Sequence, residues 1–217
     1  RVLRSRLRNL HLDAAHLAER FGLFVLIALG ESVVAIGAST HGRHGLTFAV
    51  GCAVAAAFAT VCGLWWVYFH FAADAMRHAL ATAAVQVDVA RLVLSYGHLS
   101  FIASIIVVAV GLRAAVADPG HALGWGGGGL LFGGAALYLA TFGFTRWAMF
   151  RQISRTRLSA AAVVVALLPA AAYLPALAAL AGLALVLAGL DAVELLNVEH
   201  TGWQAQLTRR AAVRVED

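Results

Sequence analysis

Long apolar runs, separated by short polar or charged segments, dominate the pattern of this chain. A helix rises about 1.5 Å per residue, so roughly 20 apolar residues cross a hydrocarbon core about 30 Å thick. Six runs have this character, and they cover about residues 17–39, 46–71, 91–113, 125–148, 157–173 and 175–196. The pattern predicts an all-α fold, a polytopic bundle of about six membrane-spanning helices.

The composition supports a membrane setting. Hydrophobic residues make up 62% of the chain and charged residues only 12%, with a mean hydropathy of +0.84. A soluble domain usually carries about 25% charged residues. A pI near 10.0 can indicate nucleic-acid binding, but basic loops beside a membrane explain it better here. We therefore expect a lipid bilayer as partner, and no nucleic acid.

Arginine placement predicts the orientation. All 16 basic residues are arginines, and only Arg43 and Arg113 fall on one side of the six alternating spans, which leaves fourteen on the other. Because positively charged loops stay in the cytoplasm, both ends of the chain are predicted to be cytoplasmic. Residues 1–15 are then a basic cytoplasmic segment, 16–198 the bundle and 199–217 a cytoplasmic tail. The start "RVLRSRLRN" lacks the pattern of a signal peptide and predicts a piece of a longer protein.

The first run contains one carboxylate, Glu31, within "FGLFVLIALGESVVAIG". It lies about 15 Å along a helix from Phe21, near the membrane middle. An ionisable group there costs about 2.5–3.5 kcal/mol, so we expect Glu31 to face the bundle interior. It is either a protonated packing group or part of an ion pathway. Ser32 adds a hydroxyl beside it, and Gly30 permits close approach of another backbone.

Two further residues are predicted to join Glu31 and Ser32 in a substrate or ion pathway. His98, in "SYGHLS", is the expected partner of Glu31, with a neutral His98 bonded to Ser95 or to a carbonyl as the alternative. Asp191 is expected to be more buried than Glu194 and to approach an arginine of another span. No catalytic residue is predicted.

Other ionisable groups lie near the predicted cytoplasmic boundary. They are interpreted as interfacial anchors or possible ion pairs, and they comprise Glu19, Arg20, Asp88, Arg91 and Arg146. In the fourth predicted span, Gly129 and Gly133 form a face of small residues that predicts contact with another helix.

The segment "HFAADAMRH" contains three residues of types that bind metal ions. His70, Asp74 and His78 share one helix face, but the two histidines are about 12 Å apart along the axis and cannot share one ion. The end of an amphipathic helix emerging into water is the preferred interpretation. No metal and no cofactor are predicted.

Three segments resemble a known family. "HLAERFGLFVLIALGESVVAIG", "WWVYF" at 65–69 and "YGHLSFIASIIVVAVGL" at 96–112 are similar to segments of the bacterial low-temperature-requirement A (LtrA) membrane proteins. The resemblance implies a multi-pass protein of the bacterial inner membrane and matches the C-terminal part of longer family members. It implies an upstream transmembrane half as a partner, but no substrate or reaction.

Two functions follow from these features. Intramembrane ionisable groups favour a transporter or channel component for a small solute or ion. The alternative is a non-catalytic membrane sensor, scaffold or stress-tolerance factor. A second copy of the chain, in a homo-oligomer, is a further candidate partner under either function. An intramembrane enzyme using a Glu–His pair is a third and weaker interpretation, because no nucleophile or metal centre is recognisable.

Overall fold

The computed structural model describes residues 14–40, 47–82 and 90–213, with side chains for 16–40, 47–70, 75–79 and 90–197. These residues are almost entirely helical, and no β-strand occurs among them. The α-helices are Ala14–Ala38, Phe48–Trp66, Ala73–Thr82, His98–Ala117, Gly124–Gly128, Gly134–Phe150, Arg155–Tyr173 and Ala176–Val213. Three π-helical segments adjoin them, at Val67–Ala72, Ala90–Gly97 and Gly129–Gly133.

Six helical stretches in the described part are long and apolar enough to cross a membrane. We number them as spans one to six: His16–Ala38, Phe48–Ala79, Ala90–Ala117, Gly124–Phe150, Arg155–Tyr173 and Ala176–Asn197. The all-α polytopic bundle is therefore confirmed, and each predicted run agrees with its span to within a few residues, except at the end of span two.

Surface cavities show which ends of the spans lie together. Glu19 of span one lines one cavity with Arg77 of span two. Arg146 of span four lines another with Arg157 of span five. Met76 of span two also lines this second cavity, so these ends lie on one side of the bundle. We call it the arginine-rich end.

The opposite end is closed by backbone hydrogen bonds between two loops. The N–H of Ala176, which begins span six, donates to the carbonyl of His121 at 2.9 Å. The N–H of Leu177 donates to the carbonyl of Pro119 at 3.0 Å. These bonds tie the connection between spans three and four to the connection between spans five and six.

Spans three and four pack closely because two glycines leave room. A Cβ on Gly111 would lie 2.8 Å from the backbone nitrogen of Leu131, and a Cβ on Gly134 would lie 2.9 Å from the side chain of Val108. Small residues let membrane helices approach one another, which gains van der Waals contact. These two spans therefore form a close-packed pair.

The predicted contact face at Gly129 and Gly133 is wrong. A Cβ at either position meets no described neighbour within 4 Å, whereas Gly134 makes the contact. The segment Gly129–Gly133 is π-helical. A π-turn contains more residues than an α-turn, so it displaces the face that a regular helix would present.

Candidate functional site

A buried ion pair joins spans five and six. Arg157 donates from Nε to Oε1 of Glu194 at 2.7 Å and from Nη2 to Oε2 at 2.9 Å. Both residues are buried, at 8% and 9% exposure. The Arg157 guanidinium also lies 4.5 Å from the ring centre of Phe142. Two parallel hydrogen bonds of this kind make a strong arginine–carboxylate contact, and they counter part of the cost of removing both charges from water.

A second carboxyl lies one helical turn before Glu194. Asp191 faces span two at Gly63, where an added Cβ would lie 3.7 Å from Asp191 Oδ2. It interacts electrostatically with both Glu194 and Arg157. Its Oδ1 atom is buried and has no hydrogen-bond partner in the described part of the protein. A buried polar atom left in this state is costly, and it marks a position where a ligand, ion or proton would be stabilised.

Tyr68 and His98 form a second buried polar pair, between spans two and three. The Tyr68 hydroxyl lies 2.6 Å from Nε2 of His98, and Nδ1 of His98 lies 3.1 Å from the carbonyl oxygen of Val93. A carbonyl can only accept, so Nδ1 carries a hydrogen. In a neutral imidazole Nε2 is then the acceptor of the Tyr68 O–H. Both side chains are almost completely buried.

Two π-helical segments position this pair. Tyr68 lies within Val67–Ala72, and His98 follows directly after Ala90–Gly97. A π-turn rotates the residues that follow it relative to a regular α-helix and is often found at functional sites. The two π-turns therefore bring Tyr68 and His98 to face each other across the bundle.

Aromatic and hydroxyl groups connect the two polar clusters. The ring of Phe142, which lies under Arg157, is centred 6.3 Å from that of Tyr68. Tyr138 donates to the carbonyl of Leu64 at 2.8 Å, across spans four and two. The clusters are thus parts of one continuous interior built by spans two to six.

A cavity opens beside the ion pair at the arginine-rich end. Its volume is about 310 Å³. It is lined by Ala75, Met76, Phe142, Thr145, Arg146, Met149, Phe150, Gln152 and Arg157. Arg146 is exposed and donates to Oε1 of Gln152 at 3.5 Å. A small molecule or ion in this cavity would therefore reach the guanidinium of Arg157.

The family described as Bacterial low temperature requirement A protein (LtrA) matches residues 1–192. The chain belongs to the LtrA family. This LtrA chain is also 34% identical, over 111 residues, to the uncharacterized protein RA0937 of Rhizobium meliloti (strain 1021). That match covers 51% of the chain and 27% of the relative's length. No solved structure matches.

The position of Glu31 in this LtrA chain differs from the prediction. Glu31 and Gly30 are exposed on the outer surface of span one, whereas Ser32 is buried and donates to the carbonyl of Ala28 at 3.0 Å. The prediction that Glu31 faces the interior of this bundle is wrong. The buried stripe of span one includes Val25, Ala28 and Ser32, and Glu31 lies about 100° around the helix from Ser32.

The predicted pairing of Glu31 with His98 is also wrong. His98 bonds to Tyr68 and Val93. Phe21 of span one packs against it, with ring centres 5.0 Å apart. Phe21 is ten residues before Glu31, about 15 Å along the helix. The prediction from sequence position therefore put Glu31 of span one level with His98 of span three, whereas Phe21 lies at that level.

The burial order of the two acids in span six is the reverse of the prediction. Glu194 is buried and bonded to Arg157, whereas Asp191 is half-buried. Asp191 does approach an arginine of another span, as expected, and that arginine is Arg157. Arg157 was missed because it begins an apolar run beside other arginines and resembles an interfacial anchor. The i, i+3 spacing of the two acids was the available signal.

The possible ion pairs near the boundary have mixed outcomes. Glu19 and Arg20 are both exposed, and Glu19 lines the surface cavity that Arg77 shares. Arg146 bonds Gln152. Arg91 is exposed, and it is not without an interaction partner. Asp88 lies outside the described residues, as do the side chains of Asp74 and Glu199.

Proposed function

We propose that this LtrA chain is a component of a transporter or channel for a small solute or ion, and that the transported or coupling species is a proton or a small cation. One observation carries the proposal. Asp191 has a buried oxygen without a hydrogen-bond partner in the described structure, beside an arginine that already binds Glu194.

The charges of this cluster favour a cation. With both acids ionised, Asp191 and Glu194 supply two negative charges against the one positive charge of Arg157. The surplus negative charge lies within membrane-spanning helices, where an uncompensated charge is expensive. Uptake of a proton or a monovalent cation at Asp191 removes the surplus.

Competition between Asp191 and Glu194 for the guanidinium of Arg157 would couple ion binding to a change between two spans. When Asp191 is neutral, Arg157 is held by Glu194 alone. When Asp191 is ionised, both carboxyls attract the same guanidinium. Glu194 and Asp191 are on span six and Arg157 is on span five, so ion occupancy at Asp191 changes the attraction between two spans. A ligand that stabilises one arrangement over the other shifts their populations.

The arginine-rich end is the proposed cytoplasmic side, in the bacterial inner membrane. The support is the excess of arginines at this end, together with the rule that basic loops remain cytoplasmic. The cavity beside Arg157 then opens toward the cytoplasm. Ser32 and His98 stay predicted pathway residues. The proposal rests on Asp191, because Glu31 faces away from this cavity.

A non-catalytic sensor, scaffold or stress-tolerance factor is the second candidate. It is favoured by the completeness of the Arg157–Glu194 and Tyr68–His98 contacts, in which each named polar group has a partner. Such pairs can fix helix packing without conducting anything.

Flux measurements in proteoliposomes test the proposal. The purified chain is reconstituted, and proton and potassium movement is followed with entrapped fluorescent indicators. We expect flux above that of protein-free vesicles and a large loss with Asp191→Asn, which keeps the shape of the side chain but cannot ionise. Glu19→Gln, which removes an exposed acid at the same end of the bundle, is the matched control and should retain flux.

Two results would reject transport through Asp191. One is a wild-type chain that conducts neither ion above protein-free vesicles, which would favour the sensor or scaffold. The other is full flux in Asp191→Asn.

A further inference from the structure

Two buried polar atoms among the described side chains have no hydrogen-bond partner, and both belong to the pair of spans two and six. They are Oδ1 of Asp191, an acceptor, and Nε1 of Trp66, which can only donate. Leaving either group unpaired in a membrane interior is costly. One ligand that accepts from Trp66 and donates to Asp191 would satisfy both.

The helix contact at Gly63 places the two groups at nearly the same depth. A Cβ on Gly63 would lie 2.9 Å from Cβ of Leu187, so these two residues are level. Trp66 follows Gly63 by about 4.5 Å of helical rise, and Asp191 follows Leu187 by about 6 Å. Both spans run toward the arginine-rich end, so Trp66 and Asp191 differ in height by only about 1.5 Å.

Both side chains lie beside Gly63. A Cβ there would be 3.7 Å from Oδ2 of Asp191, so this carboxyl reaches across to span two. Residues three apart on a helix are surface neighbours, with Cβ atoms about 5–6 Å apart, which puts Trp66 next to the same contact. A face of the Trp66 ring stacks on His70, with ring centres 4.8 Å apart. This stacking leaves the N–H at the ring edge available to a ligand.

The donors and acceptors around Asp191 suit a water molecule better than a metal cation. Trp66 and Arg157 present only N–H donors, and Glu194 already accepts two hydrogen bonds from Arg157. Hard metal cations bind several oxygen ligands. Among the described side chains, Oδ1 of Asp191 is the one buried oxygen without a partner. Water both accepts and donates, so it can take the Trp66 N–H and bind the carboxylate.

We propose that Trp66 and Asp191 hold a water molecule between spans two and six, and that this water delivers the proton that neutralises Asp191. The bound water, once protonated from solution, passes that proton to Oδ1. One O–H bond of the water breaks as the carboxyl O–H bond forms, and neutral water remains on the Trp66 N–H. This role for Trp66 rests on the proposed function of Asp191, and it narrows the occupant from a proton or small cation to a proton.

Other titratable groups face Asp191 from the surrounding spans. Glu194 is on its own span, Arg157 is on span five and Tyr138 is on span four. Glu194 is already paired with Arg157, and Tyr138 already donates to the carbonyl of Leu64. Asp191 is therefore the acid of this cluster that is open to a proton.

Infrared difference spectroscopy of the full chain in lipid vesicles tests the water bridge independently of flux. Lowering the pH should produce the carbonyl band of a protonated carboxyl, and Asp191→Asn should remove that band. Trp66→Phe keeps an aromatic ring but removes the N–H, so the band should shift to higher frequency as the carboxyl loses its hydrogen bond to the water. Trp65→Phe is the matched control, since Trp65 is 40% exposed on the same span, and should leave the band unchanged. An unshifted band in Trp66→Phe would overturn the proposal.

Two measurements on the unsubstituted chain complete the spectroscopic test. Exchange into heavy-oxygen water should shift a water band that changes together with the Asp191 carboxyl band, and a spectrum without such a band would contradict the bound water. Potassium chloride added at constant pH should leave the carboxyl band in place. Loss of the band as potassium replaces the proton would overturn the assignment of the site to a proton.

Flux in proteoliposomes distinguishes failure of the proton site from failure of the proposed function. We expect proton movement without potassium movement, and a loss of roughly 3- to 10-fold in Trp66→Phe, the effect of one hydrogen bond. Potassium movement that Asp191→Asn abolishes would keep the role of Asp191 but overturn the proton as its occupant. A chain that conducts neither ion would reject transport, and the infrared spectra would then decide whether Trp66 and Asp191 hold the water.

Discussion

Glu194 and Glu31 are both acids within membrane-spanning helices, yet their surroundings are opposite. Glu194 is buried and holds Arg157 through two hydrogen bonds. Glu31 is exposed on the outer face of span one, among apolar side chains. The difference lies in the helix face on which each acid falls. Depth within an apolar run sets how costly a charge is, but the face decides which partner compensates it.

Breaking the buried pair should have the largest effect. Glu194→Leu leaves the Arg157 guanidinium buried without its carboxylate, which costs roughly 3–5 kcal/mol of folding stability. Glu31→Leu leaves no buried partner behind and should change monomer stability far less. Thermal unfolding in detergent compares the two variants. The double substitution Arg157→Leu with Glu194→Leu should recover part of the loss. Equal destabilisation by Glu194→Leu and Glu31→Leu would contradict the comparison.

Close helix contact at Asp191 should be the next most sensitive feature. A Cβ on Gly63 would lie 2.9 Å from Cβ of Leu187. Gly63→Ala should therefore cost about 1–3 kcal/mol through overpacking. Gly189→Ala, on span six, meets no described neighbour within 4 Å and is the matched control. It should leave stability unchanged or slightly higher. Thermal unfolding in detergent compares the two variants. If Gly63→Ala is as stable as the wild-type chain, spans two and six are farther apart than described.

The Tyr68–His98 pair should contribute less. Tyr68→Phe removes one hydroxyl and leaves Nε2 of His98 without its donor, for a loss of roughly 0.5–2 kcal/mol. Tyr96→Phe, which removes an exposed hydroxyl from span three, should have no effect. Denaturant unfolding of both variants tests this expectation. Identical midpoints would mean that the Tyr68 hydroxyl makes no net contribution.

The smallest effect concerns an exposed pair outside the spans. His121 and Asp118 are 2.8 Å apart, and this hydrogen bond raises the pKa of His121 above 6.5. Any stabilisation from the pair is present below the unfolded pKa and is lost as the pH rises through the folded pKa. Because both groups are in water, the gain is slight. Histidine NMR titration should show the pKa fall toward its usual value in Asp118→Asn, and no change would remove Asp118 as the cause.

The sequence was sufficient to predict the fold because each membrane-spanning helix is encoded by its own local run of apolar residues. Twenty apolar residues must form a helix in lipid, whatever surrounds them. The run at 91–113 agrees with Ala90–Ala117 for this reason. The prediction of a contact face at Gly129 and Gly133 was wrong because the residues "GWGGGG" give no sign that a π-helical segment follows.

The site was harder to predict because it depends on which helices touch. Asp191 was singled out by its place after an apolar run, and the structure does place it beside an arginine. The arginine itself, Arg157, is 34 residues away in the chain and is brought near only by the packing of spans five and six. Glu31 was misplaced because a single helix does not reveal which of its faces is covered.

Side-by-side flux of Asp191→Asn and Glu31→Gln in proteoliposomes tests the central claim most directly. Both substitutions replace one intramembrane carboxyl by an amide of the same shape, so the contrast isolates ionisation at two positions. The account predicts that Asp191→Asn loses proton or cation flux while Glu31→Gln retains it. Loss of flux in Glu31→Gln with full flux in Asp191→Asn would contradict the account.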